Sequence, residues 1–383
     1  MLPQTHHQSN ATFRQNTFDL NKIDMRFPFC YVFLLVSILT SCGHQNHKKE
    51  YDDYFTSKGF SGQVYISKKG KIVYQNTFGN SNFEAKKATS SEDTYLIGSI
   101  TKQFTAFSIL MLEDRGLLST KDSIGKYFPK LPKHWSDITI HELLSHSSGI
   151  PDFEDLPNFT IAVPYSANDV VNKIKDDSLP FFQKGKFRYS SISFVLLGGI
   201  IEKVSGIKYC DFLTKNIFSP LQMTNTGCIA NENELTTKGY AKSNDGAFKK
   251  IPFSSLTYSV GNGNLFSNVN DLVKWNSSIK AGKLISSSAY QKWFSRYTEI
   301  QEQSEYEDKG DYIGYAWFLS FKGDTLFKTY HLGGVTGYKA SITRFPNDDI
   351  FVVTLSNVED KYSNKIRLEF PKFVYQKEVV TKP

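Results

Sequence analysis

Cysteine is scarce, with four residues in 383, and no two of them are spaced Cys-x-x-Cys. That spacing pattern excludes a zinc ribbon and a thioredoxin-type redox pair. Cys30 and Cys42 lie in or beside an N-terminal apolar run, which leaves Cys210 and Cys228 for the folded body. The residues leave open whether those two are bridged or are separately buried thiols. The apolar run itself, residues 27–39, is too short to span a bilayer comfortably. Concentrated positive charge is also missing. The net charge is +7, but Lys and Arg are spread along the chain, and Lys68-Lys69-Gly70-Lys71 sits between two strand-like segments as a solvated hairpin turn. Without a basic stripe or an accompanying motif, nucleic-acid binding is not expected. No internal repeat and no low-complexity tract is present, so a solenoid or a disordered array is excluded.

Apolar and aromatic residues are plentiful, at 40% and 15%, ample for a large core. Residues 1–24 are polar and aperiodic. Met25-Arg26 and the run 27–39 then suit the core of a signal peptide. The run ends Leu39-Thr40-Ser41-Cys42, which resembles the lipobox of bacterial lipoproteins, where cleavage precedes a cysteine that is then lipid-modified. The expected organisation is an N-terminal extension and signal peptide over 1–42, a polar tether over 43–53 and one folded domain over 54–383. The expected location is the bacterial cell envelope, anchored to a membrane through Cys42.

Segments 63–67 and 71–78 alternate as two strands of a hairpin turning at Gly70. Residues 99–112 read as a helix with Phe104, Phe107 and Met111 on one face and Gly116 as its stop. Further helices are expected over 138–145, 193–204 (stopped by Gly206), 211–218, 270–281 and 361–376. The last third turns to strands, at 312–321, 325–331, 338–345 and 350–356. Strands at both ends with helices between them predict a sheet closed by the two termini and a helical middle.

Three short elements carry chemistry. Ser-x-x-Lys occurs four times, at Ser99/Lys102, Ser123/Lys126, Ser205/Lys208 and Ser277/Lys280. Only Ser99 follows a strand-like run and opens an apolar helix; the other three read as surface or turn serines. Three residues along a helix is one step on the same face, so the Ser99 hydroxyl and the Lys102 amine can meet. Burial and the positive helix end both favour a lysine that gives up its proton, the arrangement of a nucleophile beside its base. The second element is Tyr189, just before an apolar helix. The third is His331-Leu332-Gly333-Gly334, where glycines let a substrate lie against a strand edge and free N–H groups can hold an oxyanion. His141-Glu142-Leu143-Leu144-Ser145-His146 is no zinc motif, because imidazoles five residues apart point about 140° from each other on a helix.

Together and in this order, the three elements resemble the serine β-lactamase-like superfamily, in the branch holding class C β-lactamases, D-alanyl-D-alanine carboxypeptidases, D-aminopeptidases and related esterases. There a Ser-x-x-Lys, a Tyr-x-Asn and a Lys- or His-x-Gly motif line one cleft. The likeness covers residues 54–356 and includes Leu143-Leu144-Ser145-His146-Ser147-Ser148-Gly149-Ile150-Pro151, Pro220-Leu221-Gln222-Met223 and Gly261-Asn262-Gly263-Asn264-Leu265. It implies an α/β (α+β) fold: an antiparallel sheet built from N- and C-terminal strands and flanked by helices, with a mainly helical lobe. It implies that Ser99 attacks a carbonyl and that Lys102 and Tyr189 share the proton transfers. The N–H groups of Ser99 and Gly334 would form an oxyanion hole, with Gly333 and Ser191 beside the substrate. His331 would position Tyr189 or bind substrate. Such a mechanism requires no metal or organic cofactor, and its partner is a small-molecule or peptide substrate. The chain departs from the family at Ser191, where the motif has asparagine, and starts its third motif with His331 rather than lysine. Both departures favour a peptidase or esterase over a dedicated class C-type β-lactamase; a non-catalytic penicillin-binding-like protein is the reading from a different class.

Overall fold

Lys69 and Gly70 both adopt positive φ, 51° and 74°, the two-residue turn whose twist matches a hairpin. It joins β1 (Gly62–Lys68) to β2 (Lys71–Phe78), with Lys68 paired to Lys71. In the C-terminal third follow β3 (Thr298–Glu299), β4 (Tyr312–Ile313), β5 (Phe318–Lys322), β6 (Thr325–Val335), β7 (Tyr338–Phe345) and β8 (Ile350–Ser356). They form one eight-stranded sheet in the order β3-β4-β5-β6-β7-β8-β1-β2. All neighbours are antiparallel, and β1 lies against β8 with Gly62 opposite Ser356. The sheet is therefore closed by the two ends of the domain, as the pattern of strands implied. In this computed structural model residues 47–156, 158–174, 182–243, 245–302 and 309–380 are described. The apolar run 27–39, Cys42 and the start of the tether lie outside the described residues.

Every residue of β8 is buried, so both of its faces are covered. The covering helices include α3 (Val269–Lys280) and α4 (Lys361–Tyr375), which both contact β8. The centre of the helical part is α1 (Thr101–Asp114), buried at every position from Thr101 to Leu112. A helix buried on all sides lies inside a core, and its polar side chains find partners there, as Thr105 Oγ1 does on Gly261 O at 2.7 Å. It packs on α2 (Ser191–Ser205), while Phe104 stacks on Trp275 at 4.4 Å and Phe107 meets Trp293 at 4.9 Å. Gly206, at φ 73°, ends α2 in the left-handed conformation that favours glycine. Residues from Asp53 onward form one unit around a single large apolar cluster.

Two elements differ from expectation. The strand over 312–321 is broken into β4 and β5. Gly314 N–H closes a turn on Trp317 O at 2.8 Å, and Ala316 sits at φ 57°, a conformation no strand contains. The helix over 211–218 begins two residues earlier, as Tyr209–Leu213, and loosens to π geometry over Thr214–Phe218. Cys210 and Cys228 are bridged, which resolves the alternative left open by the residues. With a sequence separation of 18, loop-closure entropy gives the bridge about 3 kcal/mol. Replacing both cysteines with serine is expected to lower unfolding stability by that order in urea titrations. Unchanged stability would show that the bridge constrains nothing.

Candidate active site

Ser99 lies in a single 3-10 turn, Gly98–Ile100, that runs directly into α1. The turn is held from behind by Ile97 N–H on Leu265 O at 3.0 Å, and Leu265 N–H in turn donates to Thr101 Oγ1 at 3.2 Å. Gly98 adopts φ 50°, and a Cβ there would lie 2.6 Å from Gly334 N. Only glycine lets the strand edge of β6 approach the serine turn this closely. The main chain of Gly334 is thus brought against the turn that carries Ser99.

Lys102 is fully buried, one turn along. Its Nζ lies 3.0 Å from Ser99 Oγ and donates to Asn262 O at 2.8 Å. It also sits 5.1 Å from the centroid of the Tyr189 ring. Burial pushes the amine down to about 7, opposed by the negative field of Asp152. A lysine so placed exchanges its proton near neutral pH. The other Ser-x-x-Lys pairs serve surface structure: Lys126 Nζ pairs with Asp122 at 2.9 Å, Ser205 is half-buried at a helix end, and Ser277 Oγ donates to Val273 O at 2.8 Å.

Tyr189 is set by what surrounds it. The His146 ring stacks on it at 4.4 Å, while His146 Nδ1 accepts Ser190 N–H at 3.1 Å and His146 O accepts Arg188 N–H at 2.9 Å. Burial and the charge of Lys102 hold His146 well below the usual imidazole range, so it is a neutral platform. His141, its companion in the discarded zinc pattern, instead meets Tyr315 Oη at 2.8 Å through Nδ1. His331 opens its sequence motif and is buried in β6. Its Nδ1–H donates to Leu332 O at 2.7 Å, and burial together with Lys102 drives its pKa to about 3. The ring is neutral, and Nε2 carries an acceptor lone pair.

Ser99, Tyr189, His331 and Gly334 line one cleft of about 620 Å³. A smaller cavity of about 190 Å³, also reaching Ser99 and Gly334, contains Ser191, Asn262 and Gly263. All the residues singled out in the three motifs therefore converge, except that Lys102 lies beneath the surface and Gly333 is covered by Ile97. Several lining residues had no sequence signal. Asp152, Glu154, Lys339, Glu359 and Arg367 face the main cleft. Lys339 Nζ pairs with Glu359 at 2.6 Å, and Arg367 donates to Gly333 O at 2.9 Å and Asn364 Oδ1 at 2.7 Å. Asp152 Oδ1 accepts from Ser191 N–H at 2.9 Å. Chemically the arrangement offers a nucleophile, a buried amine to take its proton, a phenol ring beside them and a strand edge across from them.

The chain is similar to penicillin-binding protein 4* of Bacillus subtilis, with 27% identity over 82% of this chain and 73% of that protein. It spans about three fifths of the length of other curated relatives it matches. Among solved structures, an octameric penicillin-binding protein homologue from Pyrococcus abyssi superposes with TM-score 0.72 at 26% identity, covering 87% of this chain and 80% of that one. The D-amino acid amidase of Ochrobactrum anthropi superposes equally well, with TM-score 0.72 at 21% identity over 86% and 97% of the two chains, which shows the shared fold. The family model described as Beta-lactamase matches residues 52–369. That match takes in the Ser99 turn, the Tyr189 segment and the β6 edge alike, and the chain belongs to the β-lactamase family of serine hydrolases.

Proposed function

We propose that the protein cleaves an amide or an ester through an acyl-enzyme on Ser99, in the manner of a peptidase or esterase. The observation that carries this reading is the 3.0 Å contact between Ser99 Oγ and a fully buried lysine whose amine is held at about 7. Neutral Lys102 takes the Ser99 proton as Oγ bonds to the carbonyl carbon, and the carbonyl π electrons move to oxygen. Main-chain N–H groups of Ser99 and Gly334 receive that oxyanion, a type of contact worth about 3–4 kcal/mol per donor. Collapse re-forms the carbonyl and expels the leaving group, which takes the proton from Lys102 directly or through the Tyr189 hydroxyl. Water then reverses the same steps and frees the acid. Neutral His331 serves as an acceptor beside this relay rather than as a charge.

A fluorophosphonate probe tests the reading. The expected adduct maps to Ser99, is absent in Ser99→Ala, and accompanies a loss of p-nitrophenyl ester turnover of at least about a thousandfold in that variant. A folded sample that neither labels nor turns over any ester would sink it. A second reading, β-lactam binding with little hydrolysis, is favoured by the relative named as a penicillin-binding protein. The departures at Ser191 and His331 place efficient cephalosporin turnover below ester or D-alanyl-D-alanine peptide turnover. A chromogenic cephalosporin hydrolysed far faster than either reverses that order.

A further inference from the structure

We propose that Asp152 is the specificity residue on the acyl side of the cleft, an anionic anchor that selects substrates bearing a free ammonium group beside the scissile carbonyl. This rests on the acyl-enzyme reading of Ser99. The carboxylate lines both the main cleft and the smaller cavity, and Ser99 lines both as well. A group held on Asp152 and a carbonyl held at Ser99 therefore belong to one small molecule.

The anchor is built rather than incidental. Asp152 opens the short turn Phe153–Asp155, and its Oδ1 accepts both Phe153 N–H and Ser191 N–H, each at 2.9 Å. Two backbone donors on one oxygen fix the plane of the carboxylate. The second of those donors belongs to the residue that departs from the family motif. Ser191 projects only a hydroxymethyl group into the smaller cavity it shares with Asp152, where an asparagine would extend a carboxamide. Shortening position 191 leaves the carboxylate as the longer polar group on that wall. Its opposing charge is the buried Lys102 amine, which feels the field of Asp152 but is itself held on Ser99 Oγ and Asn262 O. Among the described residues no lysine, arginine or histidine forms an ion pair with Asp152, and the cations lining the cleft are engaged elsewhere, Lys339 on Glu359 and Arg367 on Gly333 O and Asn364. Glu154 adds a second acidic side chain to the same wall. A carboxylate that faces a cavity without a close ion pair is satisfied best by a charged donor, and charge-assisted hydrogen bonds are about twice as strong as neutral ones. An N-acylated substrate offers one neutral N–H and adds bulk where the ammonium would sit.

The test compares alanine p-nitroanilide with its N-acetyl counterpart, in both D and L series, on wild type and Asp152→Asn. Asparagine keeps the Oδ1 acceptor for Ser191 and Phe153, so the turn is preserved. Wild type is expected to favour the free amine in kcat/KM. Asp152→Asn should shrink the ratio between the two substrates by about 10- to 100-fold, chiefly through KM of the amine, the range for losing one charge-assisted hydrogen bond. A merely structural role would lower both substrates together and leave the ratio intact, which overturns the proposal, as does a wild-type preference for the acetylated substrate. Calorimetry on Ser99→Ala with alaninamide and N-acetylalaninamide reads the anchor without chemistry. Equal binding of the two removes the anchor even where fluorophosphonate labelling upholds Ser99. Failed labelling with a retained amine preference removes the Ser99 reading and leaves the anchor.

Discussion

Lys102→Met is expected to abolish turnover and, at the same time, to stabilise the protein. Removing a general base costs roughly 10²–10⁴ in rate. The stability effect follows from the same burial. An amine lowered from 10.5 to about 7 binds its proton more weakly in the folded chain than in the unfolded one. Between those values the unfolded chain holds more protons, so stability rises with pH across the window. Below pH 7 the full penalty applies, on the order of 5 kcal/mol at 1.36 kcal/mol per unit. Methionine escapes it but leaves Asn262 O without the donor it has at 2.8 Å, a loss of about 1–3 kcal/mol. The net gain at pH 6 is therefore about 2–4 kcal/mol, and it should vanish and change sign as the pH approaches 10.5. Thermal unfolding of both proteins at pH 6, 8 and 10 checks this. A variant less stable than wild type at pH 6, or a difference that does not shrink with rising pH, contradicts the placement of the lysine. In wild type kcat/KM should climb about tenfold per unit below pH 7 and level off above it; a flat profile from pH 5.5 to 8.5 would take Lys102 out of the base role.

Gly333→Ala should be the more damaging substitution, although it adds one methyl group. A Cβ at this position would lie 2.0 Å from Ile97 O and 2.9 Å from Ile97 C. Neither side can yield. Ile97 is tied back to Leu265 at 3.0 Å, and Gly333 is held in the sheet opposite Ala340 of β7. Relief of the clash must separate the strand from the serine turn, at a cost at or above the upper end of the usual overpacking range, about 3 kcal/mol. It must also misplace Gly334 relative to Ser99, and displacement by an ångström at a reacting centre costs about 10² in rate. The expected result is poor soluble yield, a depressed unfolding midpoint and labelling by fluorophosphonate slowed at least about a hundredfold. The neighbouring residue is the control for stability. A Cβ on Gly334 would meet nothing closer than 3.6 Å, from Arg367 and Lys339, so Gly334→Ala should keep a near-native midpoint. Equal midpoints for the two variants would refute the close approach of β6 to the turn.

Much of the sheet and the three motifs were legible because their signals are local. Lys69-Gly70 between alternating segments announces a hairpin, and Gly206 ends a helix wherever that helix packs. Ser99 and Lys102 are three residues apart, and their order with Tyr189 and His331 completed the pattern. The rest of the cleft arises from contacts that no short spacing encodes. Asp152 meets Ser191 across 39 residues and Lys102 meets Asn262 across 160. The five-residue spacing of His141 and His146 spoke only to metal binding, and nothing in it says that the His146 ring would lie against Tyr189. The broken strand near Ala316 was illegible for a related reason: an alanine in a left-handed turn is imposed by the packing of Gly314 and Trp317, not by its own preference. The pairing of Cys210 with Cys228 likewise depends on where a helix and a short strand meet.

The seam between β1 and β8 also sets the order of events in folding. Ser356 Oγ donates to Ser61 O across 295 residues, and the first strand has only β2 beside it until the last strand of the sheet arrives. Contacts so distant in sequence make folding slow. Ser99 and Lys102 belong to the first half of the chain, whereas the β6 edge that faces them comes near the end. A nascent chain that has displayed Ser99 still lacks the wall opposite it, so the proposed acylation has no complete cleft until synthesis of the domain is nearly finished.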